Sequence, residues 1–140
     1  MKNFLLLSLI SALAFTSCTQ EENVEETKIM TEEVAPEKVL RHVVMFKYKD
    51  TATEADIQSV NEAFAALPSK IEEIKGFEFG TNNSPEGLDK GFTHCYFLTF
   101  HSEEDRAVYL PHPDHKAFGE LLGPFLEDVM VLDYWTSPEM

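Results

Sequence analysis

The sequence is poor in cations and has none of the glycine-rich motifs that hold phosphate groups. Its 140 residues include 11 Lys and Arg against 25 Asp and Glu, which gives a formal net charge of -14. Nucleic acid would be repelled by this charge, because binding to a polyanion depends on cationic side chains that release counterions. No GxGxxG, P-loop or GxSxG motif is present. The nucleotide-binding, phosphate-binding and serine-hydrolase classes identified by these motifs are therefore disfavoured.

Cysteine is also scarce, and no group of residues typical of a bound metal is found. Cys18 and Cys95 are the two cysteines. Zinc sites use three or four clustered Cys, His or carboxylate ligands, and the sequence has neither a Cys cluster nor an HExxH motif. His112 and His115 resemble metal-ligand spacing only weakly. We predict no metal and no cofactor, and we expect Cys95 to be a packed thiol rather than a nucleophile.

The apolar run near the N-terminus is too short to cross a membrane. Lys2 precedes the run from Phe4 to Phe15, whereas a membrane-spanning helix needs about 20 apolar residues. The shorter length is typical of a secretory signal peptide, which we assign to residues 1–17. Phe15-Thr16-Ser17-Cys18 resembles the lipobox of bacterial lipoproteins, which implies that Cys18 is lipidated and becomes the new N-terminus. A plain signal peptide with an incidental Cys18 is the alternative.

Residues 18–38 form an acidic segment without aromatic residues. Such a segment does not bury enough apolar surface to offset the entropy lost on ordering, so we expect a disordered tether. Several acyl chains on Cys18 would hold a membrane stably, since each buried methylene contributes about 0.8 kcal/mol. The predicted location is the cell envelope, on the periplasmic or surface-exposed face of a bacterial membrane. The acidic run also resembles a surface-export signal of some bacterial lipoproteins, and a simple solvated linker is the alternative.

Two segments of the remaining chain, residues 39–136, have the alternation of β-strands and are apolar on both faces. In Val39–Lys49, one face carries Leu40, Val44 and Phe46, and the other carries Val43 and Met45. Phe92–His101 repeats the pattern. A strand that is apolar on both sides must be covered on both sides. A domain of this size has helices for only one side, so we predict that a second copy covers the other side in a homodimer.

Helix and turn signals lie between these strands. Thr51 and Glu54 have the spacing of a capping box, and the apolar spacing after them predicts a helix ended by Pro68. Pro113 is suited to the first position of a later helix. The order β-α-β-β-α-β is the ferredoxin-like motif of the α+β class. The other predicted elements are a strand at Ile74–Thr81, a loop at Asn82–Gly91, a short helix capped by Ser102 and Asp105, and a strand at Val129–Trp135.

Three motifs of this domain resemble the Dabb family, the dimeric α/β-barrel or stress-responsive A/B barrel domain. They are Leu40-Arg41-His42-Val43-Val44-Met45-Phe46-Lys47, Gly91-Phe92-Thr93-His94 and Tyr109-Leu110-Pro111-His112-Pro113-Asp114-His115. The resemblance covers residues 39–136 and implies a ferredoxin-like fold that forms a dimeric α/β barrel. It implies less about activity, because most members of the family have no assigned function.

A plant polyketide cyclase of this family works without a cofactor, and its catalytic His and Tyr match His115 and Tyr109. Two further histidines of that enzyme match His42 and His94. The resemblance implies a catalytic set of His115, Tyr109 and His42, in which His115 is the base and Tyr109 stabilises an enolate oxygen. It also implies an apolar ligand pocket, lined by His94, Tyr96, Phe64, Phe118 and Leu122.

Three functions stay open at this point. The first is a dimeric barrel whose apolar pocket binds a small hydrophobic molecule. The second is a cofactor-free acid–base enzyme that acts on a carbonyl compound, which requires His115 and Tyr109 to converge on space for a ligand. The third is an assembly subunit at the cell envelope. In a purely structural alternative to catalysis, His112 and His115 cap the start of a helix and Tyr109 packs in the core.

Overall fold

The computed structural model describes residues 38–136. The predicted signal peptide at 1–17, the lipidated Cys18 and nearly all of the tether at 18–38 lie outside the described residues, and these assignments stay predictions. Within residues 38–136, no helix combines the length and the apolar character that crossing a membrane requires.

In residues 38–136, four β-strands and three α-helices follow one another in the order β-α-β-β-α-α-β. The strands form one antiparallel sheet in the spatial order β2-β3-β1-β4. This arrangement is ferredoxin-like, so the predicted α+β fold is confirmed. The bounds are β1 (Leu40–Tyr48), α1 (Glu54–Ala65), β2 (Gly76–Thr81), β3 (His94–Phe100), α2 (Glu103–Tyr109), α3 (Pro113–Leu122) and β4 (Leu126–Trp135), with a 3₁₀ turn at Leu67–Ser69.

The capping box of α1 lies at Thr53 and Asp56, so its prediction at Thr51 and Glu54 was wrong. Asp56 N–H donates to the Thr53 hydroxyl at 3.2 Å, and the Asp56 carboxylate accepts from Thr53 N–H at 2.9 Å. Thr51 is instead held in a turn that is closed by a hydrogen bond from Ala52 N–H to the Lys49 carbonyl, at 2.9 Å. The helix can begin only after this turn, which leaves Thr53 in the extended conformation that a capping residue needs.

The later helix starts follow the predicted signals. Ser102 and Asp105 form the capping box of α2, and Pro113 is the first residue of α3. His112 caps α3, because its Nδ1 accepts from Asp114 N–H at 3.2 Å. The last strand begins at Leu126 rather than at Val129, since β1 extends to Tyr48 and pairs there with Leu126.

The helices pack against one face of the sheet and form an aromatic core with it. Burial there is nearly complete, and rings from the sheet meet rings from α1 and α3. Each fully buried side chain of this size contributes about 1.5–3 kcal/mol to folding. The core includes Leu40, Val44, Phe46, Val60, Phe64, Tyr96, Leu98, Phe100, Tyr109, Phe118 and Leu122.

The other sheet face, which we call the open face, is apolar and has no helix over it in residues 38–136. By the strand register, Val43 lies between Phe97 and Leu132 in one row across this face, and Met45 lies between Cys95 and Met130 in the next row. Leu132 is 52% exposed. The prediction that β1 and β3 are apolar on both faces is therefore confirmed by where their side chains lie.

Candidate functional site

His42, Tyr109 and His115, the residues predicted to be catalytic, lie together on the helix-covered side of the sheet. The ring centroids of His42 and Tyr109 are 5.7 Å apart, and those of Tyr109 and His115 are 4.2 Å apart. Tyr109 ends α2 and His115 lies in the first turn of α3. A hydrogen bond of 3.0 Å from His112 N–H to the Tyr109 carbonyl closes the link between the two helices and keeps this link short.

His42 is buried and contacts Asp133, which in turn contacts Arg106. Its Nδ1 lies 2.7 Å from Oδ1 of Asp133, its register partner on β4, and Arg106 Nη1 lies 3.1 Å from the other oxygen of Asp133. A carboxylate only accepts hydrogen bonds, so Nδ1 of His42 carries a proton and the neutral ring presents its lone pair at Nε2. Asp133 thereby fixes the tautomer and the orientation of His42.

Sequence reasoning did not assign Asp133 and Arg106 to the site. Neither residue stands in a motif that suggests catalysis, and Asp133 meets His42 only through the pairing of β1 with β4. The usable signal was the strand alternation itself, because it places His42 and Asp133 on the same sheet face once the register is known.

His115 is oriented by a backbone group in a similar way. Its Nδ1 lies 3.0 Å from the Leu110 carbonyl. The carbonyl accepts, so Nδ1–H donates and the neutral ring again presents its lone pair at Nε2. His115 is half-buried, whereas His112 caps the helix. His112 thus caps α3 and Tyr109 is buried in the core, as the structural alternative predicts, while His115 packs on the ring of Tyr109.

Tyr109 supplies a hydroxyl that keeps its proton. The side chain is 1% exposed, and burial raises the pKa of its phenol above the ordinary value. No hydrogen bond to this hydroxyl is present within residues 38–136, and every fully buried side-chain nitrogen or oxygen of those residues has a partner. Tyr109 lines neither of the two surface cavities of residues 38–136, so neighbouring side chains would have to move for a ligand oxygen to reach this hydroxyl.

Four of the predicted pocket residues pack directly against one another in the core. The ring centroids of Phe64 and Phe118 are 4.4 Å apart, and those of Phe64 and Tyr96 are 4.8 Å apart. Leu122 is buried beside them. The hydroxyl of Tyr96 donates to the Asn61 side chain, and burial raises the pKa of Tyr96. A ligand could enter between these side chains only if the rings separated.

His94, the fifth predicted pocket residue, lies away from the catalytic cluster. It pairs with Phe46, toward the other end of β1 from His42, so the two histidines are not neighbours. Its ring meets Tyr48 edge to face at 5.0 Å, and its Nδ1 lies 2.9 Å from the Thr93 hydroxyl. Burial lowers the pKa of His94 below the ordinary value.

Two cavities on the surface of residues 38–136 lie near predicted pocket residues. One, of about 710 Å³, lies on the open face and under the loop between β2 and β3, with His94 and the free, half-buried Cys95 in its lining. The other, of about 270 Å³, lies between α1 and α3 and touches Phe118. His42, Tyr109 and His115 line neither of them. Within the same residues, no group of three His, Cys, Asp or Glu side chains could hold a metal ion.

Known proteins share this fold and much of its sequence. Residues 40–136 match the family model of the stress-responsive A/B barrel domain, Dabb. The stress-response A/B barrel domain-containing protein HS1 of Arabidopsis thaliana is 35% identical over 95 residues, which are 68% of this chain and 87% of that protein. Olivetolic acid cyclase of Cannabis sativa is 30% identical over 95 residues, which are 68% of this chain and 94% of the enzyme.

Solved structures agree with these relatives. A hydroxynitrile lyase from Passiflora edulis superposes with a TM-score of 0.69 at 29% identity, over 75% of this chain and 99% of the lyase. A dimeric protein with a ferredoxin-like fold from Bacteroides fragilis superposes with a TM-score of 0.57 at 29% identity, over 69% of this chain and 94% of that one.

Proposed function

This chain belongs to the stress-responsive A/B barrel (Dabb) family, and from that premise we propose that it is a membrane-anchored homodimer with a cofactor-free acid–base site for a small hydrophobic carbonyl compound. The observation that carries the proposal is the contact of His42, Tyr109 and His115 in one cluster. The proposal requires that side chains beside the cluster move to admit a ligand, because the three residues line neither surface cavity. Two relatives, the olivetolic acid cyclase and the hydroxynitrile lyase, bear the names of enzymes, which supports chemistry rather than binding alone.

In the proposed reaction, Nε2 of His115 takes a proton from the carbon next to a carbonyl group. The electron pair of the broken C–H bond moves onto the carbonyl oxygen, which becomes an enolate oxygen. Tyr109 donates a hydrogen bond to that oxygen, as a donor of an oxyanion hole does. The raised pKa of Tyr109 suits this role, because the phenol keeps its proton while the oxygen charge develops. His115 then returns its proton to the product.

His42 supplies a second basic nitrogen beside Tyr109. The Asp133 carboxylate at 2.7 Å stabilises the imidazolium that forms if His42 takes a proton, and Arg106 holds the carboxylate from its other side. This is the logic by which a buried acid orients a histidine in acyl-transfer enzymes. Phe100, 6.2 Å from His42 between ring centroids and 5.2 Å from Tyr109, keeps this side of the cluster apolar.

A proton-exchange assay tests the proposed chemistry. One probe is acetophenone in D₂O, with exchange of its methyl protons followed by NMR. The other is mandelonitrile, whose hydroxyl proton goes to the base while the bond to the nitrile carbon breaks and cyanide leaves, and the benzaldehyde formed is followed by absorbance. We expect the protein to accelerate at least one of these reactions over buffer, and we expect His115→Gln to lower the acceleration about 100- to 10,000-fold.

His101→Gln is the matched control, because it removes a histidine that is not in contact with the cluster. This variant should retain the activity. No acceleration by the native chain, or equal losses in both variants, would contradict the proposal. Ligand line broadening without any exchange would place the chain among binding proteins instead.

The homodimer is supported by the open face and by the dimeric relative from Bacteroides fragilis. Leu132, Met130 and Tyr134 of β4 expose about half or somewhat less of their surface on that face. A second copy packed against this face would remove its apolar surface from water. With a two-fold axis, the same patch of each copy would be covered by the other copy.

The membrane anchor is supported by the sequence between Phe4 and Cys18, and fractionation of the bacterial envelope tests it. We expect the native chain in the membrane fraction and Cys18→Ala in the soluble fraction. Cys95→Ala is the matched control, since Cys18 and Cys95 are the two cysteines of the chain. Release of the Cys95→Ala chain as well, or retention of the Cys18→Ala chain, would contradict a lipid anchor on Cys18.

A further inference from the structure

The strand that carries Asp133 is poorly covered. β4 lies at the edge of the sheet, where β1 is its neighbour, and nine of its ten residues are exposed. Val131 is 47% exposed on the helix side, and Leu132 is 52% exposed on the open face. Hydrogen bonds to β1 therefore hold β4 with little support from buried apolar contacts. An element of this kind is prone to open locally.

Asp133 connects this strand to the acid–base cluster. Its Oδ1 lies 2.7 Å from Nδ1 of His42, and its other carboxylate oxygen lies 3.1 Å from Nη1 of Arg106. The Asp133 side chain is 34% exposed, whereas that of His42 is 6% exposed. When this part of β4 leaves β1, His42 keeps its place on β1 but loses the acceptor that fixes its tautomer.

The two neighbours of Asp133 along β4 face the other way. Successive side chains of a strand alternate between the faces of a sheet, so Leu132 and Tyr134 lie on the open face. Tyr134 is 48% exposed there. In the proposed homodimer, the second copy covers both of these side chains. One short piece of β4 thus meets His42 on one side of the sheet and the partner on the other.

We propose that the second copy completes the acid–base site by holding β4 against β1, so that Asp133 orients His42 in the dimer and is released in the separated monomer. This coupling rests on the proposed homodimer and on the proposed acid–base cluster. Asp133 is a positioning residue, because it acts through His42. A partner that binds only the closed form of β4 suppresses the open form about 100-fold at a protein concentration about 100 times the Kd of the dimer.

Hydrogen exchange of backbone amides measures the opening of β4 without relying on turnover. The protein is the full chain with Cys18→Ser, studied below and above the Kd of its dimer. In the monomer, we expect the β4 amides bonded to β1 to exchange faster than the β3 amides bonded to the other edge of β1. Dimer formation should slow the β4 amides by up to about 100-fold and remove most of this difference. Equal exchange of the two sets in the monomer would overturn the proposal.

The ring nitrogens of His42 report the same event by ¹⁵N NMR, at a pH where the ring is neutral. The dimer should show His42 with its proton on Nδ1, and dilution to the monomer should add the tautomer with the proton on Nε2. Asp133→Ala calibrates this signal. The Asp133 side chain lies on the helix side, so the variant should stay dimeric and lose the fixed tautomer.

Phe97→Glu separates the chains from a strand that does not touch β4. Phe97 is the register partner of Val43 on the open face, and β1 lies between β3 and β4. A charge is costly to bury, so this variant should be monomeric and should lose both the β4 protection and the fixed tautomer of His42. Val108→Glu is the matched control, because Val108 is 47% exposed on α2, and it should keep both in a dimer.

A monomeric Phe97→Glu chain in which His42 keeps its proton on Nδ1 would overturn the coupling. Failure of the proposed chemistry has a different signature. Protection of β4 and a His42 tautomer that both depend on the dimer, in a chain that accelerates neither probe reaction, would support the coupling and contradict only the chemistry.

Discussion

In His115 and His42, the hydrogen-bond partner of Nδ1 fixes the tautomer of the ring, which decides whether Nε2 can accept a proton. The Leu110 carbonyl accepts a hydrogen bond from Nδ1–H of His115, and the Asp133 carboxylate accepts one from Nδ1–H of His42. Both rings therefore present Nε2 as an acceptor.

Tyr109→Phe tests the oxyanion role with the loss of a single oxygen atom. The ring remains to pack between Phe100 and His115, so the fold should be retained. Removing one oxyanion donor costs about 100- to 1,000-fold in turnover. We expect a loss of this size in the acetophenone or mandelonitrile assay, with near-native thermal unfolding. A variant with native turnover would remove Tyr109 from the mechanism.

His94 gives the protein a dependence of stability on pH. Burial lowers its pKa in the folded state, so between that pKa and the unfolded value of 6.5 the unfolded chain binds more protons. The contribution of neutral His94 to the free energy of unfolding is then fully present above pH 6.5, and it is lost as the pH falls through this window. We expect the urea midpoint of the native chain to drop from pH 7.5 to pH 5.5, and to drop less in His94→Gln. An equal drop in both would contradict this assignment.

At the scale of the helices and strands, period-two alternation carried most of the information. β1 and β3 were predictable because apolar residues fill both of their faces, which few other structures require. The start of α1 was not, since Thr51 and Thr53 each precede an acid by three residues and both pairs have capping-box spacing. The turn from Lys49 to Ala52 decides between them, and that turn has no comparable sequence signal.

Thr53→Ala tests the observed cap of α1. Loss of the side chain leaves the Asp56 N–H without its acceptor and should lower the free energy of unfolding by about 1 kcal/mol. Thr51→Ala is the matched control and should change it much less, because α1 does not begin at Thr51. Denaturant unfolding of both variants measures the difference. A larger loss in Thr51→Ala would contradict the helix start described above.

The candidate site was predictable only in part, and the reason is again structural. The resemblance to the family identified three residues of the site, His42, Tyr109 and His115, before their contact was known. Asp133 and Arg106 were missed, since their roles depend on the β1–β4 register and on the position of α2 over the sheet. The predicted pocket was named from the same resemblance, and in this chain the side chains of Phe64, Phe118 and Tyr96 pack closely.

At the scale of the whole molecule, the proposed homodimer explains the exposed apolar face of the sheet. The helices cover one side of the sheet except along β4, where Val129 and Val131 stay exposed. On the other side, Leu132, Met130 and Tyr134 are exposed. Contiguous apolar surface of this kind marks an interaction site. Two copies related by a two-fold axis would cover this face of each other. The acid–base cluster lies on the helix-covered side of the sheet, within one protomer.

Sedimentation equilibrium of the Cys18→Ser chain, native elsewhere and with Leu132→Glu, tests this homodimer most directly. A charge at the centre of an apolar interface is costly to bury, so Leu132→Glu should dissociate the dimer. Val108→Glu is the control, because Val108 is similarly exposed, at 47%, but lies on α2. We expect a dimer at micromolar concentration for the parent and for Val108→Glu, and a monomer for Leu132→Glu. A parent chain that sediments as a stable monomer at that concentration would contradict the homodimer.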